Sequence, residues 1–310
     1  FVVPGMLIIG ADSHTTTQGS LGAFATGVGS TEIAAIWASG KIWLKVPESI
    51  KIIFNGNLPK GVYAKDLILY TIGKISCEGA NYKTIEFTGN LVKEFSIDSR
   101  ATLCNMSIEA GAKAGIVEMD DITKEYLISL GRESMLEVHS GKEAIYDKIL
   151  EEDVKNMEPY VALPHSVDNV KAVREVEGIP IDQAFLGSCT NARLEDLMIA
   201  AKMLKGKKVK EGVRLIITPA SKSVYKNMLK SEITDILLES GASITSPTCG
   251  ACVGTHCGVL GANEVCISSS NRNFIGRMGS RDSKVYLASP ATVVASAIKG
   301  AIADPRDYLR

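Results

Sequence analysis

An α/β fold is predicted from two features of the chain. Short Val- and Ile-rich runs bounded by glycine alternate with amphipathic stretches of helical period, the pattern of β-α units feeding mostly parallel sheets. The 310 residues, 45% of them apolar and 22% charged, can bury a sizeable core, and the length alone suggests about two domains of roughly 150 residues each. No internal repeat of solenoid period and no low-complexity tract competes with that reading.

In chain order, the runs MLIIGA (6–11), IKIIF (50–54), TIEFTG (84–89), QAFLGS (183–188) and VRLIITPA (213–220) read as strands. The stretches AKDLILYTIGKI (64–75), LEDLMIAAKMLKG (194–206) and KNMLKSEITDILLESGA (226–242) read as helices with one apolar face. The charged segment Gly141 to Pro159 reads as a solvated helix followed by a linker, which places a boundary near Glu158. A second boundary falls where Pro47 stops a helical pattern before the next strand. Three segments result, 1–47, 48–157 and 158–310.

A net charge of −1 and a pI near 6.5, with both signs mixed along the chain, leave no electrostatic footprint for nucleic acid or an anionic membrane. No apolar run approaches the roughly 18 residues of a membrane span, and no basic-then-apolar leader opens the sequence. Proteins or small molecules are the expected partners and the cytoplasm the expected compartment. The chain opens at Phe1, without Met and close to a strand, as a fragment would.

Seven cysteines, an odd number in a long chain without a leader, disfavour a disulfide framework and point to thiols, some of them ligands. Cys249 and Cys252 form C-x-x-C in the glycine-rich stretch SPTCGACVGTHCG (246–258), a spacing that lets two thiolates converge on one metal centre. His256 and Cys257 compete for further ligand positions, and inert or redox-active thiols remain open on spacing alone. Cys189, in FLGSCTNARLEDLMIAAK, follows a predicted strand and precedes a helix that Thr190 or Asn191 can cap. Backbone N–H groups at a helix start favour a thiolate there, and α/β proteins put ligands at the carboxyl edge of the sheet. A buried cysteine acting as a small apolar residue is the plain alternative. Cys77, Cys104 and Cys266 fit helix or strand interiors. The glycines between Gly19 and Gly29 do not have dinucleotide-binding spacing.

GSCTN, then TCGACVG some sixty residues later, then SSNRNFIGR (269–277) and LASPATVVASAI (287–298), with GADSHTTTQGSLGAFATGVGSTE (10–32) near the start, together resemble the aconitase superfamily. More narrowly the chain is similar to the large subunits of the two-subunit 3-isopropylmalate dehydratase and homoaconitase group, in the same motif order from Gly10 to about Pro305. The resemblance implies aconitase-like three-layer α/β/α domains around an iron–sulfur cluster cleft, and one 4Fe–4S cluster on Cys189, Cys249 and Cys252, with Cys257 outside the ligand set. It implies that Asp12, His14 and Glu109 do acid–base work, and that Ser13, Asn105, Asn271, Arg272 and Arg277 bind substrate or support the site.

The residue types agree with that implication. A carboxylate beside an imidazole orients the ring, which can then pass a proton to a departing hydroxide. Asn105 and Glu109, four apart, share a face if the segment is helical. Guanidinium forks suit the paired carboxylates of a malate-type substrate. Taken singly, DSHT reads as a turn with an Asx-type cap, Glu109 as a solvated carboxylate, and the two arginines as surface charges. His139 and His165 are expected to serve local hydrogen bonding. On oxidation of the metal-free chain, Cys257 is expected to be able to pair with a vacated ligand cysteine.

The resemblance further implies a hydro-lyase that isomerises a 2-substituted malate by removing water and adding it back, with isopropylmalate in leucine synthesis first, and homoaconitate, dimethylmalate or citramalate chemistry as alternatives. It implies a small-subunit partner carrying a swivelling domain and the catalytic serine, and an earlier segment with His-Asp and Cys-His-Gln motifs that this sequence lacks, so that the chain is expected to be inactive alone. Of other classes, an iron-responsive RNA-binding or redox-sensing protein lacks the basic stripe it would need, and a ferredoxin-like carrier needs a fourth cysteine ligand.

Overall fold

The computed structural model describes residues 1–132 and 135–309. In chain order the elements are β1 (Leu7–Gly10), a 3-10 segment (Ser13–Leu21), β2 (Phe24–Gly27), α1 (Ser30–Ser39), β3 (Ser49–Asn55), α2 (Ala64–Ile75), β4 (Thr84–Thr88), α3 (Asn90–Glu94), α4 (Ile97–Met106), a 3-10 turn (Ser107–Ala110), β5 (Ala114–Val117), α5 (Asp121–Ser129) and β6 (Lys148–Asp153). They continue as β7 (Tyr160–Ala162), β8 (Val170–Ala172), β9 (Gln183–Leu186), α6 (Leu194–Leu204), β10 (Arg214–Ile217), α7 (Lys222–Leu229), α8 (Ile233–Glu239), β11 (Ser243–Ile244), a 3-10 turn (Gly250–Val253), β12 (Val265–Ser268), β13 (Lys284–Ala288) and α9 (Pro290–Lys299). The α/β class is as expected, and no helix among the described residues is long and apolar enough to cross a membrane.

The elements form two compact units, residues 1–58 with 75–156, and residues 59–74 with 157–310. Segment 1–47 lies wholly in the first unit, and the boundary expected near Glu158 adjoins the Asn156–Met157 join. Within 48–157, residues 59–74, most of α2, belong to the second unit.

The first unit contains the parallel pair β1-β2 and a four-stranded parallel sheet ordered β5-β4-β3-β6. Ile50, Ile52, Phe54, Ile85 and Phe87 are fully or almost fully buried along β3 and β4, each contributing about 1.5–3 kcal/mol. The stretch expected to begin as a solvated helix at Gly141 instead supplies β6, paired parallel to β3. Its sequence KILEED has helix-forming residues, but β3 offers an open edge, and charged side chains are what an exposed edge strand carries. Arg100 of α4, with no exposure, donates to both Asp120 carboxylate oxygens at 2.7 and 2.6 Å and to the Phe95 carbonyl, fastening α4 to the cap of α5. Burial alone would push the Asp120 carboxyl up; the Arg100 guanidinium and the Thr123 N–H hold it below its ordinary value.

The second unit is built on a seven-stranded sheet ordered β11-β10-β9-β12-β13-β7-β8, parallel from β11 to β13. Strand β9, buried at all four positions, lies at its centre, as a strand covered on both faces should. From β9 the chain runs outward through β10 to β11, then returns to lay β12 and β13 on the other side of β9. The β9/β12 boundary is therefore a topological switch point, the place in an open parallel sheet where ligands are commonly bound. Helix α9 starts with Pro290 in its first turn and is almost wholly buried, Ala291, Ala295 and Ala297 letting it lie close to α6 and β9. Two helices, α7 and α8, occupy the stretch expected to form one.

Candidate functional site

The predicted residues assemble in two places, one in each unit. In the first, Asp12 caps the 3-10 segment, its carboxylate accepting from the His14 N–H at 2.8 Å, so DSHT is an Asx-capped turn as its residues alone suggest. The cap turns His14 inward. Its Nε2 lies 2.8 Å from Glu109 Oε1, with both side chains buried, whereas Asp12 stays largely exposed and its carboxylate is 3.9 Å from Nδ1. The carboxylate that orients the imidazole is thus Glu109.

Asn105 and Glu109 do not share one regular helix, because α4 ends at Met106 and Glu109 sits in the following 3-10 turn. The tighter turn still buries both. Asn105 donates to Thr17 Oγ1 at 2.9 Å, and its carbonyl accepts from Thr16 Oγ1 at 3.2 Å. Thr16 and Thr17, which sequence reasoning passed over, therefore lock the histidine turn to α4; the signal was the threonine run directly after His14. Ser13 opens the turn and is half-buried. Glycine is required at 27, since a Cβ there would lie 2.6 Å from the Asp12 carbonyl oxygen and 2.9 Å from Ser13 Cα.

In the second unit, the cysteines and Asn271 follow the carboxyl ends of parallel strands: Cys189 after β9, Cys249 and Cys252 after β11, Asn271 after β12. Helix α6 begins at Leu194, as the sequence placed it, with the Arg193 N–H bonded to the Asp196 carboxylate at 3.0 Å. Cys189 is accordingly in the loop beyond β9, and neither Thr190 nor Asn191 is the helix cap. Thr190 Oγ1 instead accepts from the Asn271 amide at 2.9 Å.

The Asn271 amide joins two of the thiols. Its Nδ2 lies 3.8 Å from Cys189 Sγ, and its Oδ1 accepts from Cys252 Sγ at 3.6 Å. Arg277 Nη2 approaches Cys252 Sγ at 3.8 Å, and Arg277 Nε is buried with no hydrogen-bond partner among the described residues. Arg272 is half-buried in the same loop as Asn271. Cys252 is buried, while Cys189 and Cys249 are exposed, and no disulfide joins any of the seven cysteines. Among the described residues no three His, Cys, Asp or Glu side chains are disposed to hold a metal ion, so a three-cysteine ligand set is not preassembled.

Cys249 stands directly before the turn that carries Cys252. That turn is a single 3-10 turn from Gly250 to Val253, ended by Gly254 at φ +68°, where a Cβ would lie 2.9 Å from the Arg277 carbonyl oxygen. The donor set fits an iron–sulfur group: two soft sulfurs on one amide, a third three residues away in the same turn, and an unsatisfied guanidinium N–H beside them.

Other residues take ordinary roles. His139 pairs with Glu118 at 3.3 Å. Cys104 lies in α4 and Cys266 in β12, and burial pushes both thiols up, Cys266 to about 12. Cys77 lies in the turn after α2, half-buried, rather than within a helix or strand. Cys257 is exposed at φ +51°. Sequence reasoning also passed over Lys65 of α2, which has no exposure and donates from Nζ to the carbonyls of Ser269 and Ser270 at 2.7 and 2.6 Å. The signal was a lysine in phase with Ile68, Leu69 and Ile72 on the helix's apolar stripe.

A model of the aconitase family (aconitate hydratase) matches residues 1–178 and 170–300. A 3-isopropylmalate dehydratase large subunit of Campylobacter concisus is 55% identical over 309 residues, 99% of this chain and 73% of that protein. A 3-isopropylmalate dehydratase large subunit of Archaeoglobus fulgidus is 51% identical over 100% of this chain and 74% of its own length, and a probable methanogen homoaconitase large subunit of Methanosarcina mazei is 54% identical over 99% and 78%. With matches of this extent, and with the thiols gathered at the carboxyl edge of a parallel sheet, the chain belongs to the aconitase family.

Proposed function

We propose that the chain is the large subunit of a 3-isopropylmalate dehydratase, a hydro-lyase that takes water from 2-isopropylmalate and restores it with the hydroxyl on the neighbouring carbon, in leucine biosynthesis. The observation that carries this reading is the pairing of Cys189 and Cys252 on the Asn271 amide at the β9/β12 switch point, in a chain about half identical to proteins of that name.

In this reading Cys189, Cys249 and Cys252 hold a 4Fe–4S cluster. When bound, the cluster supplies an iron without a protein ligand, a Lewis acid toward the substrate's hydroxyl and carboxylate. Asn271 holds two of the sulfurs in register through its amide. Arg272 and Arg277 supply guanidinium groups for a malate's carboxylates, the second having a buried N–H still to be satisfied. His14, whose Nε2–H an ionised Glu109 accepts, can take a second proton at Nδ1 and deliver that proton to departing hydroxide. Asp12 and Ser13, at the mouth of the same turn, offer a carboxylate for proton transfer and a hydroxyl for a substrate carboxylate. Asn105 holds the turn by bonding to Thr17. A small subunit, the partner that the relatives' designation as large subunits suggests, contributes the swivelling domain with the serine that removes the substrate's α-proton.

A homoaconitase reading is the second choice, carried by the 54% identity to the Methanosarcina mazei protein. The test is anaerobic reconstitution of the natural full chain with iron and sulfide, addition of candidate small subunits, and NMR of 2-isopropylmalate and of homoaconitate. Interconversion of the isopropylmalates is expected. Turnover of homoaconitate alone would establish the second reading, and turnover of neither would overturn both.

A further inference from the structure

The second unit contains a fully buried cation that the functional reading leaves without a task. Lys65 sits in the first turn of α2, with no exposure, and places Nζ between two consecutive carbonyls of the loop after β12, those of Ser269 and Ser270. Removing an ammonium from water is costly, and a lysine with this little exposure is rare unless its amine is paired, here with two carbonyls.

The loop it grips is the one that organises the thiols. Ser269 Oγ accepts from the Gly187 N–H at 3.0 Å and also reaches the Asn191 carbonyl at 2.9 Å, spanning the segment that carries Cys189. Ser270 Oγ lies 2.7 Å from Ser268 Oγ, and Asn271 contacts both Cys189 and Cys252. One amine thus anchors two peptide units from which the Cys189 loop and the Asn271 amide are both held. Burial pushes the Lys65 amine down to about 7, and the sulfur of Cys252, the carboxyls of Asp196 and Asp66, and the sulfur of Cys189 pull it back up. Anionic thiolates at Cys252 and Cys189 favour its protonated form.

We propose that Lys65 is a positioning residue for the iron–sulfur site: it clamps the Ser269–Asn271 loop that aligns Cys189 with Cys252, and it sets a buried amine, positively charged when protonated, at the peptide that precedes the sulfur-contacting Asn271. The proposal rests on the reading that these cysteines hold a cluster. Acting through backbone carbonyls and at a distance, Lys65 need touch neither substrate nor metal. Outer-shell groups of this kind govern metal retention and potential.

The test uses the full chain, reconstituted anaerobically, unchanged and as Lys65→Met, Lys65→Gln, Lys65→Arg and Ser269→Ala. Two readouts are taken: iron lost to a chelator over time, and the cluster's reduction potential by optical titration. Both neutral variants are expected to lose iron about 10–100-fold faster and to have a lower potential, because a buried positive charge favours the reduced cluster. Lys65→Arg, which keeps the charge, is expected to restore the potential. Ser269→Ala, which loosens the loop and leaves the amine, is expected to speed iron loss with the potential unmoved. A chromophore in the unchanged chain with iron loss and potential unaltered in both neutral variants would overturn the role of Lys65 alone. No chromophore in the unchanged chain would remove the cluster reading and this proposal with it. Neutral variants that fail to fold would make Lys65 a folding element and also overturn the proposal.

Discussion

The histidine turn of the first unit and the cysteine loops of the second differ in how far each satisfies itself. Around His14 the polar groups meet one another: imidazole on carboxylate at 2.8 Å, Asn105 on Thr17 at 2.9 Å. Around the cysteines the contacts run to sulfur, at 3.6 to 3.8 Å; two of the three thiols are exposed, and Arg277 Nε is buried without a hydrogen-bond partner among the described residues. A site closed on itself draws its geometry from folding. A site with soft donors and an unsatisfied N–H draws its final geometry from what it binds, as metal centres do.

That contrast can be broken most decisively at Cys189. Cys189→Ala is expected to abolish iron retention, measured as iron per chain after reconstitution, while changing the stability of the metal-free chain by no more than about 0.5 kcal/mol, because the side chain is exposed. A metal-free chain markedly destabilised by this change would show the second site to be as self-supporting as the first. Next in size is Glu109→Gln, which leaves iron content unchanged and is expected to lower turnover by about 10²–10⁴-fold as the imidazole loses its carboxylate. Iron loss in that variant would contradict the division of labour.

The third effect depends on pH. Lys65 has a folded pKa of about 7 against 10.5 unfolded, so between these values the unfolded chain binds more protons and stability rises with pH. The buried Asp66 carboxyl, pushed up to about 7 by desolvation, acts in the opposite sense between 3.8 and 7 and adds nothing above that. Urea denaturation of the metal-free chain should therefore show a gain of about 2 kcal/mol from pH 7 to about 9, absent in Lys65→Met. A flat profile in the unchanged chain would contradict the displaced lysine. Smallest is Thr17→Val, which removes the hydroxyl that Asn105 donates to and is expected to cost about 1–2 kcal/mol in the same assay.

The strands β1, before the histidine turn, and β9, before Cys189, were legible as compact apolar runs that end at glycine. Strand β6 was not, since KILEED on a sheet edge has the composition of a solvated helix and only its pairing with β3 makes it a strand. The roles of Cys189, Cys249 and Cys252 were legible through motif spacing and resemblance. That Asn271 touches two sulfurs, and that Glu109 rather than Asp12 meets His14, depends on partners 19 to 95 residues away and has no local signature. The start of α6 at Leu194 was legible, but its cap was not: Thr190 and Asn191 are good cap residues, yet Asn271 claims the first and Arg193 stands at the cap position.

The chain enters the second unit at residue 59, leaves it at 74 and returns at 157, so α2 is made well before the loop that its lysine meets. At about 5–20 residues per second, translation of 75–156 occupies about 4–16 s, and Ser269 and Ser270 come later still. Until residues 269 and 270 have been made, the carbonyls that receive the lysine of α2 do not exist, so its native desolvation waits for them.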